Sequence, residues 1–518
     1  MTSSLKSGEA QALQRRLDTQ PDRLALYAAL TDGGTRADTF LLERSEGPSL
    51  LMDQAAVRIE CRGRLATLQA LTLGGQNVLR AVGARLAAYV EADEAEQLML
   101  RFPDLIGEDA EERLLAPSPF DALRAVTSGL VSRSPEEAFT IACPGIVAFD
   151  HADLFETLPQ PPSDPLGFPD YIFWLAESLI VFEAGARPRL LCTAFGSDDE
   201  DAARRAYFSA SQRLGELVER CSATFPDIPV ADLSAPPKVE PEVDLDDQAY
   251  GDVVRTLREE IAAGEIYQIV PSRTFRAPCP DPIRSYATLR SLDPSPYRFF
   301  VAAPDFALFG ASPETSVRVF REDAKKMVEV KPIAGTRQRG ADADEDDRLE
   351  AEMRLDMKET SEHMMLVDLA RNDVARLSVA GTRRVAKLMT VERYARVMHL
   401  VSSVTGVMRH GVDALHALQA CLNVGTLTGA PKIRATELLR RTEATKRGPY
   451  GGAIGWINGE GLMDTGVVIR SAVVKDGTAF VRAGAGVVYD SVPQAEANET
   501  RRKASAMLSV LAATGGAQ

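Results

Sequence analysis

The chain has 518 residues, of which 45% are hydrophobic and 26% are charged. A chain of this length and composition can bury at least one large core without metal or disulfide cross-links. Its formal net charge of -15 argues against a general nucleic-acid or anionic-membrane surface, because such partners usually meet a basic stripe. We therefore expect a globular protein whose partners are small molecules or other proteins.

The cysteines give no sign of a metal site or of cross-linking. Six of them are scattered without a C-x-x-C pair, at Cys61, Cys143, Cys192, Cys221, Cys279 and Cys421. With five histidines in the whole chain, neither a zinc site nor a disulfide framework is indicated, and a reducing compartment fits. The first thirty residues lack the apolar core of a signal peptide, and no uncharged apolar run is long enough to cross a bilayer. We expect a cytoplasmic protein without a membrane span.

The N-terminal part opens with segments that alternate between apolar and polar residues. TFLLE, SLLMDQAAVRIECRG and RLATLQALTL, between residues 39 and 73, have the period of β-strands. An amphipathic segment over residues 198–225 and a second over residues 250–263 have apolar residues at helical spacing. We therefore predict strands followed by two helices in this part of the chain.

A proline-rich polar run lies between the two predicted helices. It reads SAPPKVEPEVDLDD and covers residues 234–247, a composition typical of a connector. We predict a boundary here between an N-terminal region, residues 1–235, and a C-terminal region, residues 245–515.

The C-terminal region mixes strand and helix patterns. YRFFVAAP, FALFG, MVEVKPIAG and AFVRAGAGVVYD are predicted strands, and RLEAEMRLDMKETSEHMMLVDLARND is a predicted helix. The acidic run ADADEDD before that helix is predicted to be a solvated loop that complements the positive helix N-terminus. The mixture predicts an α/β or α+β fold class.

Two pairs of glutamates share a spacing that has chemical meaning. Glu359 and Glu362 lie three apart in a helical pattern and project from one face, and Glu496 and Glu499 repeat that spacing. Four carboxylates suit a hard cation such as Mg²⁺, which prefers oxygen ligands and keeps water for a substrate to displace. From the residues alone, two solvated helix faces are the more usual interpretation.

Seven short motifs of the C-terminal region resemble a known family. GEIYQIVPSR, LFGASPE, PIAGTRQRG, KETSEHMMLVDLARND, VMHLVSS, GTLTGAPK and EANETRRKA occur in the order seen in chorismate-utilising enzymes of the anthranilate synthase family. The resemblance to the enterobacterial-type large subunit covers nearly the whole chain. It implies an anthranilate-synthase-type chorismate-binding fold, with two packed β-sheets flanked by helices and a regulatory-type N-terminal part. It also implies Mg²⁺, since both glutamate pairs fall on the family's metal positions.

The resemblance assigns substrate-binding residues as well. Chorismate is a dianion, so an acidic protein must offer it local cations and backbone N–H groups. Small residues let such N–H groups approach a carboxylate. The positions that match the family's pocket are Gly335, Thr336, Tyr450, Arg470, Gly484, Gly486 and Lys503.

Three residues match the family's catalytic positions. Glu314, in GASPE, would be the general acid for loss of the C4 hydroxyl, which requires a raised pKa. His399, in VMHLVSS, is tied in the family to pyruvate elimination, and Thr426, in GTLTGAPK, binds substrate or orients that histidine. By themselves, Glu314 is typical of an exposed turn and His399 of a hydrogen-bonded core.

Two further positions indicate which nucleophile attacks. Isochorismate and salicylate synthases resemble this family but carry a lysine base where this chain has Gln268. Aminodeoxychorismate synthases commonly have a lysine within P-I-K-G-T, where this chain has Ala334. Direct attack by ammonia at C2 remains, to give anthranilate and pyruvate. The alternatives left open are a 2-amino-2-deoxyisochorismate synthase, which keeps the pyruvyl group, and an inactive regulatory or scaffold subunit.

The source of ammonia is predicted to be a second protein. No G-x-C-x-G context surrounds any of the six cysteines, so the chain itself offers no nucleophile for glutamine hydrolysis. A separate glutaminase subunit is implied.

Feedback inhibition by tryptophan is where the chain departs from the family pattern. Tryptophan-sensitive relatives have L-L-E-S where this chain has LLER, and N-P-S-P-Y-M where it has DPSPYR. The degenerate site comprises Glu43, Arg44, Pro294, Ser295, Tyr297 and Arg298. An apolar indole would meet two added guanidinium groups unless these turn away or pair with Asp293. We hypothesise weak or absent tryptophan inhibition.

Overall fold

The computed structural model describes residues 5–104, 109–160, 163–234, 240–393 and 397–515. Within these ranges there are 25 β-strands and 12 α-helices. The strands are β1 (Glu9–Arg16), β2 (Thr39–Arg44), β3 (Ser49–Arg62), β4 (Leu65–Ala70), β5 (Val90–Asp93), β6 (Gln97–Arg101), β7 (Val131–Ser132), β8 (Ala142–Val147), β9 (Tyr171–Phe182), β10 (Arg189–Phe195), β11 (Glu242–Val243), β12 (Gln268–Ile269), β13 (Ser272–Pro278), β14 (Tyr297–Ala302), β15 (Ala307–Ser312), β16 (Thr315–Glu322), β17 (Lys325–Val330), β18 (Ile333–Gln338), β19 (Arg384–Arg393), β20 (Val397–Val407), β21 (Gly429–Ala430), β22 (Ala453–Asn458), β23 (Met463–Val467), β24 (Ser471–Lys475) and β25 (Thr478–Gly484). The helices are α1 (Arg23–Leu30), α2 (Leu73–Arg85), α3 (Ala110–Leu115), α4 (Phe120–Val126), α5 (Glu200–Cys221), α6 (Asp247–Ala262), α7 (Pro282–Leu292), α8 (Ala343–Leu355), α9 (Met357–Ala375), α10 (Ala414–Cys421), α11 (Lys432–Thr442) and α12 (Pro493–Gly515).

The described strands form one large hydrogen-bonded network. It joins 23 of them, while β12 and β21 pair separately. Long antiparallel ladders such as β3 with β9 and β13 with β25 build it, and β1 pairs with β7 in parallel. The predicted mixture of strands with flanking helices is confirmed. The two β-sheets that the resemblance implies are joined by strand pairing into this one network.

Most predicted elements lie where their periodicity placed them. The N-terminal alternating segments are β2, β3 and β4, and the two amphipathic segments are α5 and α6. The long predicted helix is interrupted, because α8 ends at Leu355 and α9 begins at Met357. Between them the Asp356 carboxylate accepts the Glu359 backbone N–H at 3.2 Å. A carboxylate in that position starts a helix rather than continuing one.

The acidic run before α8 is helical, so the prediction of a loop was wrong. Asp342 is the N-cap, and its side chain accepts the backbone N–H of Glu345. Asp344, Glu345 and Asp346 form the first turn. Their negative charges favour the positive end of the helix dipole, which is the interaction expected of this run, made from within the helix.

Strands from both sides of the predicted boundary pair with each other. β2 is antiparallel to β14, and β8 is antiparallel to β22. Phe40 and Trp174 share one buried core with Phe299 and Trp456. The sheet and the core thus run through both regions, although residues 235–239 of the connector lie outside the described part. The division into residues 1–235 and 245–515 remains a prediction, namely that the two regions have different roles.

All six cysteines are free and buried. Their side chains therefore belong to the apolar interior, as is common for free thiols. In the part of the chain that the structure describes, no helix is both long and apolar enough to cross a membrane.

Candidate active site

The turn between β15 and β16 carries Glu314, which is 7% exposed. Thr426 lies in the short 3-10 helix Gly425–Leu427, and its hydroxyl donates to Glu314 Oε1 at 2.8 Å. Burial raises the pKa of Glu314 to about 7, although the Thr426 hydrogen bond and the charges of Lys503 and Arg470 act to lower it. This carboxyl group is therefore half protonated near neutral pH and suits a proton donor.

His399 lies on β20 and is 2% exposed. Its Nδ1 is 3.4 Å from the carbonyl oxygen of Gly335, on the neighbouring strand β18. Burial, followed by the positive charge of Arg470, lowers its pKa. The imidazole is thus neutral at neutral pH, which is the form that accepts a proton. The side chain of Thr336, predicted for the same pocket, lies outside the described part of the structure.

Two cations act on this acid and histidine. Arg470 lies between β23 and β24 with a left-handed backbone (φ +48°), and its charge lowers the pKa of both Glu314 and His399. Lys503 projects from α12, and its Nζ donates to the Gly484 carbonyl at 3.0 Å. Both predicted substrate cations therefore lie close to Glu314, where they can attract an anionic substrate.

The far wall of the pocket combines glycines with two polar side chains. A Cβ on Gly484 would lie 2.7 Å from the Pro271 carbonyl and 3.2 Å from the Tyr450 hydroxyl, so only glycine fits. A Cβ on Gly486 would lie 3.0 Å from Nε2 of Gln268. The Oε1 of Gln268 is buried and has no hydrogen-bond partner among the described residues. This wall thus holds an acceptor that a ligand N–H can satisfy.

Each predicted glutamate pair lies on one helix, Glu359 and Glu362 on α9 and Glu496 and Glu499 on α12. Arg337 donates to Glu359 at 3.0 Å. A Cβ on Gly335 would lie 3.1 Å from Glu359 Oε2, which places this carboxylate beside the strand that meets His399. The helical spacing is confirmed, and Glu359 lies beside Gly335, whose carbonyl oxygen contacts His399.

The donor chemistry of the two pairs fits a hard divalent cation, because all four side chains supply carboxylate oxygens. Among the described residues, no three His, Cys, Asp or Glu side chains are gathered as a metal site. Glu359 is paired with Arg337, and Glu499 with Lys503 at 2.9 Å. A cation bound by both helices would have to displace those two ion pairs.

The degenerate tryptophan-site residues also meet, through the β2–β14 ladder. Arg44 is opposite Tyr297, and Glu43 is opposite Arg298. The Arg44 guanidinium lies 3.4 Å from the centre of the Tyr297 ring and donates to Asp464 at 3.0 Å. Its side chain is 5% exposed. Arg44 therefore fills the space between the two strands' side chains instead of turning away.

The remaining residues of this set also have internal partners. Glu43 is fully buried and accepts hydrogen bonds from Tyr286 and from Arg290, both at 2.8 Å. Arg298 lies 4.0 Å from Glu43. Neither arginine of the set pairs with Asp293 as one alternative proposed. Asp293 instead accepts the Ser295 hydroxyl at 2.6 Å and lies 3.7 Å from Arg470.

Sequence reasoning missed two functional partners. Asp464 binds Arg44 from 420 positions along the chain, a separation at which local pattern carries no signal. Arg337 directly follows the PIAGT motif. Its position next to residues predicted for the pocket was the sequence signal that could have identified it. Both show that ion-pair partners follow from the packing of distant elements rather than from spacing.

The pocket thus combines an acid, a base and cations as an enzyme acting on a small anion requires. The sequence profile of a family described as "chorismate binding enzyme" matches residues 71–509. The chain belongs to this family of chorismate binding enzymes.

Individual relatives cover nearly the whole chain. It is 44% identical to "Anthranilate synthase component 1" of Vibrio cholerae over 98% of this chain and 97% of that protein. The corresponding protein of Escherichia coli is also 44% identical, over 94% of each chain. The crystal structure of anthranilate synthase component I from Streptococcus pneumoniae superposes with a TM-score of 0.66 at 30% identity, covering 89% of this chain and 92% of that one.

Proposed function

We propose that the chain is the large, chorismate-converting component of an anthranilate synthase, which forms anthranilate and pyruvate from chorismate and ammonia. The observation that carries the proposal is Glu314, a buried carboxyl group with a pKa of about 7 held by Thr426. An acid of this kind is what departure of the C4 hydroxyl as water requires. The similarity to component 1 proteins supports the same reaction.

Substrate binding rests on charge. Arg470 and Lys503 attract the two carboxylates of chorismate, and the hydroxyl of Tyr450 and the backbone at Gly484 and Gly486 line the ring. Burial raises the pKa of Tyr450 to about 12, so its hydroxyl stays protonated and able to donate. An overall net charge of -15 makes these local cations necessary.

The first half-reaction adds nitrogen. Glu314 donates its proton to the C4 hydroxyl, which leaves as water while the ring double bonds shift and ammonia attacks C2. Gln268 offers its unpartnered Oε1 to an N–H of the ammonia, which turns the nitrogen lone pair towards the ring. A glutamine at this position accepts hydrogen bonds but is not a base, so it favours ammonia over activated water.

The second half-reaction removes pyruvate. Neutral His399 takes the proton from C2, and those electrons form the C2–C3 double bond that completes the aromatic ring as the C3–O bond breaks. The departing enolpyruvate takes up a proton at its methylene carbon and becomes pyruvate. The buried neutral histidine is the reason to prefer anthranilate over the alternative product, 2-amino-2-deoxyisochorismate. A buried carboxyl group with a raised pKa has no use in an inactive scaffold subunit, which argues against that alternative.

The metal is proposed to be Mg²⁺, held by Glu359, Glu362, Glu496 and Glu499. When bound, it would neutralise a substrate carboxylate and stabilise charge that develops in the reaction. The residues of the chain supply the proton transfers and the orientation of the substrate.

Ammonia is proposed to come from a separate glutaminase subunit in the cytoplasm. Burial raises the pKa of all six thiols, so none of them is the thiolate that glutamine hydrolysis needs. Ammonium salts should replace the partner in the chain's own reaction.

Tryptophan inhibition is proposed to be weak or absent. Arg44, one of the residues that the resemblance assigns to the effector site, stacks on Tyr297 and pairs with Asp464. Displacing it would leave the Asp464 carboxylate buried without that cation, a cost that an apolar effector does not offset.

The test is incubation of the purified chain with chorismate, Mg²⁺ and ammonium at alkaline pH, following anthranilate fluorescence and pyruvate release together. We expect both products in equal amounts. Chorismate consumption without pyruvate would establish the aminodeoxyisochorismate alternative, and no consumption would refute the catalytic proposal in favour of a scaffold.

A further inference from the structure

Behind the pocket wall lies a buried arginine that the reaction described above does not use. Arg447 lies between α11 and β22, and its side chain is 2% exposed. Its Nη1 donates to the carbonyl of Leu427 at 2.6 Å, and its Nη2 donates to the carbonyl of Val270 at 2.7 Å. One guanidinium thus ties together two segments that are distant in sequence.

Both tied segments carry a pocket residue. Leu427 directly follows Thr426, and Val270 lies two positions after Gln268. The Arg447 guanidinium also lies 5.8 Å from the ring centre of Tyr450. The Arg447 side chain therefore contacts the segments that carry Thr426 and Gln268 and lies near Tyr450.

The charge of Arg447 is balanced by Glu443, which lies four residues earlier, directly after α11. Glu443 accepts from Arg447 Nη2 at 2.6 Å, from the Ser272 hydroxyl at 2.8 Å and from Arg482 at 2.9 Å. Arg482 lies on β25, two residues before Gly484. The network thus extends to β25, the strand that carries Gly484 of the pocket.

A buried set of one anion and two cations is a costly way to gain stability, because packed apolar side chains of similar volume often stabilise as well or better. What the charged network adds is a fixed geometry, since a guanidinium fork holds two carbonyls in one relative position. The contacts of Arg447 are directed at the backbone of the pocket segments, where a small displacement affects catalysis.

We propose that Arg447 is a positioning residue for the chorismate reaction, which holds the Thr426 turn so that the Thr426 hydroxyl reaches Glu314. Glu443 balances the charge of the guanidinium and orients it. The inference rests on the proposed function only in treating Glu314 as the acid. It assigns Arg447 no contact with substrate.

The primary test compares Arg447→Lys with a matched control, Arg440→Lys. Arg440 lies on α11, its side chain is 4% exposed, and its ion-pair partners are Asp150 and Asp153. Lysine keeps the charge in both variants but cannot hold two carbonyls as the fork does. We expect kcat to fall about 100-fold in Arg447→Lys and to stay within about 3-fold of the parent in Arg440→Lys.

A pH profile separates positioning from general loss of stability. The Thr426 hydrogen bond lowers the pKa of Glu314, so losing it raises that pKa and moves the alkaline limb of kcat/KM to higher pH. The limb should move in the same direction in Arg447→Lys and Thr426→Val but not in Arg440→Lys. An unmoved limb in Arg447→Lys would overturn the proposal.

A double-variant cycle keeps the inference testable if Glu314 is not the acid. If Arg447 acts through Thr426, combining Arg447→Lys with Thr426→Val lowers kcat no further than the worse single change, whereas independent effects multiply. Multiplying effects would sink the inference whatever the role of Glu314. If Glu314→Gln leaves the alkaline limb of the kcat/KM profile unchanged, that result would instead count against the proposed function.

Ser272→Ala provides a milder change if Arg447→Lys does not fold. It removes the hydroxyl that donates to Glu443 and that accepts from Arg482 Nε at 2.8 Å, while the ion pairs of Glu443 with both arginines remain. A kcat reduced about 3-fold, with the alkaline limb displaced upwards, supports the network's role. Unchanged kcat and an unmoved limb contradict it.

Discussion

A glutamate donates protons near neutral pH where its surroundings penalise the charged form, and for Glu314 burial has this effect. Lys503 and Arg470 oppose the shift from nearby, and burial prevails. His399 illustrates the opposite case, because burial and Arg470 both disfavour its charged form. Near neutral pH, Glu314 can thus donate a proton and His399 can accept one, because the surroundings of each group favour its uncharged form.

Glu314→Gln should lower kcat by about 10²- to 10⁴-fold, the range attributed to general acid catalysis. The parent needs protonated Glu314, so its kcat/KM for chorismate should fall above pH about 7 when the concentration of free ammonia is held constant. In the variant that fall should disappear. Initial rates across pH check this, and a variant that retains the parent's alkaline limb would show that another group is the acid.

His399→Asn should uncouple the two half-reactions. Asparagine cannot take the C2 proton, so chorismate should be consumed while pyruvate release falls about 100-fold or more. Chromatography of the products, with pyruvate measured in parallel, distinguishes the outcomes. Equal losses of chorismate consumption and pyruvate would mean that His399 serves the first step as well.

At the scale of elements, the pairing of β2 with β14 determines what the degenerate tryptophan site contains. Antiparallel register sets Arg44 opposite Tyr297, and cross-strand neighbours on one face contact each other directly. Asp464 on β23 then completes the cluster through its bonds to Arg44 and to the Tyr297 hydroxyl. Substituting one arginine therefore alters a three-strand arrangement.

Arg44→Ser should destabilise the fold by about 3 kcal/mol, because it leaves the buried Asp464 without its closest cation. It should also open the space that an indole needs, so that calorimetry detects tryptophan binding absent from the parent. Arg62→Ser is the matched control, since Arg62 forms an exposed pair with Glu60 and should cost about 0.5 kcal/mol or less. Tight tryptophan binding by the parent would refute the proposed insensitivity.

At the scale of the whole molecule, the sheet network makes the two predicted regions depend on each other. The β2–β14 and β8–β22 ladders cross the boundary, and a shared core lies beneath them. Neither region can satisfy its strand edges or bury its apolar face when separated. The N-terminal region is therefore in direct contact with strands of the C-terminal region through these ladders and this core.

A protease site introduced at residues 235–239 should be cut without separating the halves. The two fragments should co-elute in gel filtration and keep about the activity of the uncut chain, because ladders and core contacts hold them. Separation should require urea. Fragments that part under native conditions would favour two independent domains.

Local pattern predicted the elements well because their periodicity depends on neighbours in sequence. The strands β2 to β4, the helices α5 and α6, and the one-helix placement of each glutamate pair followed from periods of 2 and 3.6 residues. The break at Asp356 was missed because a capping carboxylate competes with an otherwise continuous helical pattern. The candidate site positions came from motif resemblance, and the structure brings many of them together.

By itself, the sequence determined the fold class, the strands and helices, the spacing of the carboxylates and the absence of a glutaminase motif. Only the tertiary structure decided that Glu314 is buried, that Arg44 pairs with Asp464, and that Arg447 joins the Thr426 and Gln268 segments. The physical reason is the sequence distance over which each property is determined. Periodicity depends on neighbouring residues and indicates which face of an element is buried. The pKa of a carboxyl group and the partner of an arginine depend on strands brought together from hundreds of positions away.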